Sequence, residues 1–111
     1  MHVSADPRDA NAVAETVLPL LRSMDIFHKI AGSPADYERL NEGNQQGKLI
    51  TVYCGPGQET FLRVLAALDA ALSMSGTRAG PRPSLRHGGG MEPRIGKTGH
   101  ITYYTIEDYT K

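Results

Sequence analysis

Cationic side chains are concentrated in one glycine-rich stretch, residues 76–100, of a chain that has no net charge. This stretch holds seven of the twelve glycines and a local charge of +4, whereas the 111 residues together carry twelve basic and twelve acidic side chains. Arginine presents a planar fork of donors that matches a phosphate or a carboxylate. The pattern predicts either an anion-binding loop or a solvated surface loop whose charge serves solubility.

Other residue types that often carry catalysis lack the spacing that their chemistry needs. Gly96-Lys97-Thr98 matches the end of a phosphate-binding P-loop, but Met91 stands at the required first glycine and a strand is predicted where the motif needs a helix. The four histidines show no helical zinc pairing, and Cys54 is the only cysteine. These patterns exclude a P-loop, a cysteine zinc cluster and an internal disulfide, and Cys54 is expected to pack as a small hydrophobic residue.

Several stretches have the patterns of regular secondary structure. A short strand is predicted around Val3, and Asp6-Pro7 begins a helix whose apolar residues recur at helical spacing up to Met24. Pro19 is expected to kink this helix or to end it early. The remaining elements are predicted as strands over 26–30, 49–54 and 101–106, a short helix after Ser33-Pro34 and a long helix over 58–74.

The order of these elements, β-α-β-α-β-α-loop-β, indicates an α+β fold with helices packed on a small mixed sheet. A chain of this length fits one domain, taken as residues 1–111. The lack of net charge argues against a nucleic-acid or polybasic membrane partner. No apolar run approaches the ~18 residues of a membrane helix. The single cysteine fits a reducing, cytoplasmic setting.

Three blocks of sequence occur in the order found in a known family. The first runs from His2-Val3-Ser4-Ala5 through the first helix to Phe27-His28-Lys29-Ile30, and the second is Gly47-Lys48-Leu49-Ile50-Thr51-Val52-Tyr53. The third joins Gly80-Pro81-Arg82-Pro83-Ser84-Leu85-Arg86 to His100-Ile101-Thr102-Tyr103-Tyr104. In these blocks the chain resembles the N-terminal lyase domain of class III and class IV lanthionine synthetases, which is similar in turn to the phosphothreonine lyase effectors of type III secretion.

The resemblance implies a lyase that eliminates phosphate from phosphoserine or phosphothreonine, giving dehydroalanine or dehydrobutyrine without a cofactor or a metal. The matching positions imply Lys29 as the base on the Cα proton and His2 as the acid on the leaving phosphate. These two residues are expected on neighbouring strands, in one pocket with Tyr53 as a further catalytic residue. The implied phosphate ligands are Arg86, Arg82 and Lys48.

This chemistry agrees with the residue types. A lysine acts as a base only when neutral, and a departing phosphate gathers negative charge that protonation and arginine contacts both stabilise. The implied partner is a phosphorylated peptide or protein, such as a lanthipeptide precursor, together with a kinase and a cyclase. No nucleic-acid or membrane partner is implied.

The chain departs from the family at positions that bear on phosphate binding. Gly43 stands where the effectors carry an arginine, Leu85 where the synthetases have aspartate in Ser-Asp-Arg, and Thr102-Tyr103-Tyr104 where they have a Tyr-Arg-Tyr type sequence. Arg94 or Arg78 is expected to supply a missing contact. Two alternatives stay open: an effector that acts on a host phosphoprotein, and a degenerate domain that binds phosphopeptides without turnover.

Overall fold

The computed structural model describes residues 1–30, 49–80 and 94–104. Within these ranges a 3₁₀ turn, Pro7–Asp9, leads into the first of two helices. The helices are α1 (Ala10–Ser23) and α2 (Gln58–Ser75), and the strands are β1 (His2–Val3), β2 (Phe27–Ile30), β3 (Ile50–Tyr53), β4 (Arg94–Ile95) and β5 (Ile101–Tyr103).

The five strands form one sheet in the order β2-β3-β1-β5-β4, with the helices beside it, so the fold is α+β. Every pairing among the described strands is antiparallel, and the expectation of a mixed sheet was therefore wrong. The cause lies in the connections. The strands joined by α1, β1 and β2, do run in the same direction, but β3 is inserted between them. In the same way β1 is inserted between β3 and β5, which flank α2 in the chain.

The element order differs from the expected one at β4, which lies in the stretch predicted to be a loop. A tight turn returns the chain: the Gly96 N–H donates to Ile101 O at 2.7 Å, and Gly99 adopts a φ of +83°, where a side chain would be strained. This turn pairs Arg94 with Tyr103 and Ile95 with Thr102. The short helix predicted after Ser33-Pro34 lies outside the described residues.

The core lies on one face of the sheet, against both helices. Alternate strand residues Val3, Ile50, Val52 and Ile101 are buried there. They pack against one stripe from α1 and one from α2, which consist of Val13, Val17, Leu21, Val64, Leu68 and Leu72. The opposite face of the sheet carries no described helix, so the residues between these core positions point away from the hydrophobic core.

Helix α1 continues through Pro19 to Ser23, so the predicted early end does not occur. Proline in a helix interior costs roughly 3 kcal/mol. Here Pro19 is exposed, while Val17 and Leu21 on either side of it are fully buried, so the packing of this stripe holds the last turn in place. Within the three described ranges, no helix has both the length and the apolar character needed to cross a membrane.

Candidate active site

Lys29, Thr51, His2 and Thr102 form one row across four neighbouring strands. Lys29 pairs directly with Thr51, Thr51 with His2, and His2 with Thr102. Residues directly opposite one another in a sheet point to the same face. The expected base and acid therefore share a face, and it is the face without a described helix.

The strands of His2 and Lys29 are not neighbours, contrary to expectation, because β3 lies between them. Two strand spacings separate their backbones by about 10 Å. Thr51, the residue between them, has a short side chain. The row therefore consists of a lysine and a histidine with the shorter side chain of a threonine between them.

His2 is half-buried and is oriented by its neighbour in the row. Its Nδ1 lies 3.2 Å from Thr51 Oγ1, within hydrogen-bond distance. If Nδ1–H donates to this hydroxyl, the ring can lose a proton from Nε2 and keep the same hydrogen bond.

Lys29 is exposed, and its ammonium makes no hydrogen bond or ion pair within the described residues. The preceding residue, His28, has its Nδ1 2.8 Å from Ile26 O and points to the other face of the strand. The strand thus presents the lysine rather than the histidine to the face that carries no described helix.

Tyr53 lies on the same face, two residues along β3 from Thr51. Its cross-strand partner is Phe27, and the two rings lie 5.4 Å apart between centroids with a tilt of 40°. Both rings are exposed, Phe27 by 73% and Tyr53 by 50%. The structure thus brings three of the expected residues, Lys29, His2 and Tyr53, to one surface.

The expected phosphate ligands divide into two groups. Arg86, Arg82 and Lys48 lie outside the described residues. Arg94 lies in β4, at the opposite edge of the sheet from Lys29, and its register with Tyr103 places it on the helix-side face. The described structure therefore does not bring Arg94 into the row.

Arg78, the other expected substitute, is engaged elsewhere. Its Nε donates to Asp9 Oδ2 at 2.9 Å, and its backbone N–H donates to the same oxygen at 2.8 Å. These hydrogen bonds hold the pKa of Asp9 below its usual value. They join the segment after α2 to the start of α1, which gives Arg78 a structural contact.

Sequence reasoning missed Thr51 and Thr102 as members of the site, because cross-strand register cannot be read from either strand alone. Thr102 lies on the other side of His2 from Thr51. It is only 1% exposed, and its hydroxyl has no hydrogen-bond partner within the described ranges. A buried hydroxyl of this kind normally costs about 1–3 kcal/mol, so its position beside His2 is unusual.

The contacts of Cys54 and His100 indicate structural roles for both residues. Cys54 packs against the core, as expected, and burial raises the pKa of its thiol, which disfavours a thiolate nucleophile. His100 is buried, with Nε2 3.1 Å from Thr77 Oγ1 and Nδ1 2.8 Å from Thr98 Oγ1. Among the described residues, no group of three or more histidine, cysteine or acidic side chains could hold a metal ion.

Comparison with known proteins gives one family. The family model described as RamC, N-terminal domain, matches residues 1–82, which contain β1, α1, β2, β3 and α2. Neither the comparison with curated proteins nor that with solved structures gave a match. The matched part is well over half of the chain and contains His2, Lys29, Thr51 and Tyr53. The chain belongs to the RamC N-terminal domain family.

Proposed function

We propose that this chain is a lyase that eliminates phosphate from phosphoserine or phosphothreonine in a peptide. The observation that carries the proposal is the row Lys29–Thr51–His2 on the face of the sheet that carries no described helix. A base and an acid lie on opposite sides of one short residue, and neither side chain is needed for the hydrophobic core.

The reaction needs groups at two points of one substrate residue. Neutral Lys29 takes the Cα proton, the Cα–H electron pair forms the Cα=Cβ double bond, and the Cβ–O bond breaks. The phosphate leaves with that bonding pair and accepts a proton from His2 Nε2. Placing the phosphorylated residue above Thr51 puts its Cα on the Lys29 side and its phosphate on the His2 side, and such positioning is a large part of catalysis.

Phosphate binding in this proposal draws on Arg82 and Arg86 of the cationic stretch 76–100, since Arg78 is held by Asp9 and Arg94 lies away from the row. Arginine forks fit the phosphate oxygens and stabilise the charge that develops as the bond breaks. Arg86, Arg82 and Lys48 are the ligands that the resemblance implies. The hydroxyl of Thr51 lies between acid and base, so it supplies a neutral polar group at the floor of the site.

The biological setting proposed is lanthipeptide biosynthesis in the bacterial cytoplasm. RamC is a lanthipeptide synthetase-like protein, and the family match covers the strands that carry the proposed base and acid. A kinase would supply the phosphorylated precursor and a cyclase would consume the dehydrated product. These partners are required by the chemistry of substrate and product.

The test is incubation of the purified protein with a phosphoserine and a phosphothreonine peptide. Elimination releases inorganic phosphate and lowers the peptide mass by one phosphoric acid, whereas hydrolysis by a phosphatase would leave the hydroxyl in place. Mass spectrometry distinguishes the two products. Binding of the peptide without any mass change would instead support a phosphopeptide-binding module, the alternative that the departures at Gly43 and Thr102-Tyr103-Tyr104 leave open.

A further inference from the structure

Two exposed aromatic rings continue the candidate site along the sheet. Phe27 and Tyr53 are cross-strand partners, and each lies two residues from a member of the row, Lys29 or Thr51. Phe27 is 73% exposed, and the only ring it contacts among the described residues is that of Tyr53. Exposing a large aromatic side chain forgoes the free energy of its burial, so the pair is a candidate binding surface.

We propose that the Phe27–Tyr53 pair binds an apolar side chain located two residues from the phosphorylated residue of the peptide. The inference rests on the proposed function, because it takes Thr51, the cross-strand partner of Lys29, as the point over which the phosphorylated residue sits. It adds a preference in the substrate: the lyase would favour phosphopeptides with a residue such as leucine at this spacing.

The spacing follows from strand geometry. Residues two apart in an extended chain point to the same side and lie about 6.8 Å apart, in the substrate as in the sheet. Phe27 and Lys29 have this relationship in β2, and the ring of Phe27 lies on the same face as Lys29. An extended peptide that lies along β2 and β3 with its phosphorylated residue over the Lys29–Thr51 pair therefore places the side chain two positions away on the ring pair.

The chemistry of the surface fits this occupant. The row Lys29–Thr51–His2 is polar, while the adjoining surface is formed by two rings. An apolar side chain next to the rings loses water to a suitable partner. A second polar or charged side chain at that position would lose hydration without a matching contact.

The experiment is a double-mutant cycle between enzyme and peptide. Two phosphopeptide pairs are used, one with leucine or serine two residues before the phosphoserine and one with leucine or serine two residues after it. For one of these pairs, Phe27→Ala should lower kcat/KM on the leucine peptide about 10-fold and on the serine peptide less than about 3-fold. Phe27→Leu, which keeps an apolar surface, should recover most of the loss.

Leu62→Ala is the matched control, because Leu62 is an apolar residue of α2 that is 52% exposed and lies on the helix side of the sheet. It should leave kcat/KM unchanged on all four peptides. Equal losses on leucine and serine peptides with Phe27→Ala, or no loss on any of them, would overturn the proposed subsite while leaving the lyase intact.

Binding measurements distinguish failure of the proposed function from failure of the proposed subsite. If the parent protein eliminates phosphate from none of the four peptides, fluorescence anisotropy of the same labelled peptides still measures the subsite. A tighter Kd for one leucine peptide that Phe27→Ala removes would support the aromatic subsite without the lyase activity. Indistinguishable Kd values for leucine and serine peptides would overturn it.

Discussion

Lys29 and the arginines near α1 illustrate two uses of a cation in this molecule. Arg8 donates from Nε and Nη2 to the Asp6 carboxylate and lowers the pKa of that group to about 2, and Arg78 is held by Asp9. The ammonium of Lys29 has no such carboxylate within the described residues. Arg8 thus binds a carboxylate two residues away within its own turn, and Arg78 joins the segment after α2 to the start of α1.

Replacing Lys29 tests the proposed base directly. Lys29→Met keeps the length and the apolar stem of the side chain but removes the amine, so elimination should fall by at least about 10²-fold. Peptide binding should persist, because the cationic stretch 76–100 is unchanged. Stopped phosphate-release assays and anisotropy measure the two effects. Arg63→Met, which removes an exposed cation from α2, is the control and should retain parental turnover.

The Thr51–His2 hydrogen bond gives a second residue-scale prediction. Thr51→Val keeps the shape and the strand preference but removes the acceptor at 3.2 Å, so kcat should fall about 3–10-fold, the value of one such bond. The limb of the pH–rate profile that reports the proposed acid, His2, should also shift. Thr51→Ser should restore both kcat and the position of this limb. In a His2→Ala background, Thr51→Val should have no further effect; a full additional loss there would show that Thr51 acts independently of His2.

At the scale of elements, the segment that follows α2 is held closely against the start of the chain. Asp6 N–H donates to Arg78 O at 3.0 Å, and a Cβ built on Gly80 would lie 2.6 Å from the carbonyl carbon of Ala5. Because the obstacle is backbone, a side chain at Gly80 could be accommodated only by moving this segment away. The contact thus depends on the lack of a side chain at position 80.

Gly80→Ala is expected to destabilise the fold by roughly 1–3 kcal/mol or more, as overpacking usually does. Urea unfolding followed by circular dichroism gives the free energy of unfolding. Gly57→Ala is the matched control, since a Cβ there would meet only Thr60 Oγ1, at 3.8 Å. Equal free energies of unfolding for the two variants would mean that the segment does not pack against Ala5 as described.

Some of these elements could be predicted from the sequence and others could not. Strand Phe27–Ile30, strand Ile50–Tyr53 and helix Gln58–Ser75 lie close to the predicted ranges, because each has a local hydrophobic pattern. The two-residue strand Arg94–Ile95 has no such pattern. Its position is set by the turn between Gly96 and Gly99 and by its pairing with β5, and neither is visible in the residues themselves.

The site itself required information from the whole molecule. His2, Lys29 and Tyr53 could be chosen from the resemblance, and α+β was predictable from element order. The insertion of β3 between β1 and β2, which places Thr51 between base and acid, depends on pairing between residues about fifty positions apart. Such pairing is decided by packing of the complete sheet against α1 and α2, so the resemblance pointed to His2, Lys29 and Tyr53 but not to Thr51 or to the row that these residues form.

For the molecule as a whole, His100 predicts how stability depends on pH. It is 2% exposed, and burial lowers its pKa below 6.5, partly offset by the carboxylates of Asp69 and Asp9. As the pH falls through 6.5, His100 is protonated in the unfolded chain before it is protonated in the folded chain. The free energy of unfolding should therefore have its full value above pH 6.5, and it should decline as the pH falls from 6.5 toward the lower pKa of His100 in the folded chain.

Urea titrations above and below pH 6.5 measure this dependence. His100→Asn should be less stable than the parent at high pH, because the contacts to Thr77 and Thr98 change, but it should lose stability less steeply on acidification. If the free energy of unfolding falls equally steeply with pH in the parent and in the variant below pH 6.5, groups other than His100 cause the acid sensitivity.

The central position of β1 has a consequence for how the chain folds during synthesis. Val3 pairs with Ile50 on one side and with Ile101 on the other, so the strand that carries His2 is made first and receives its two partners late. Non-local pairings of this kind slow folding, because a long loop must close before any contact forms. During synthesis on the ribosome, both edges of β1 would stay unpaired until first β3 and then β5 had been made. We therefore expect refolded protein to regain phosphate elimination in its slowest kinetic phase, after helix α1 has formed.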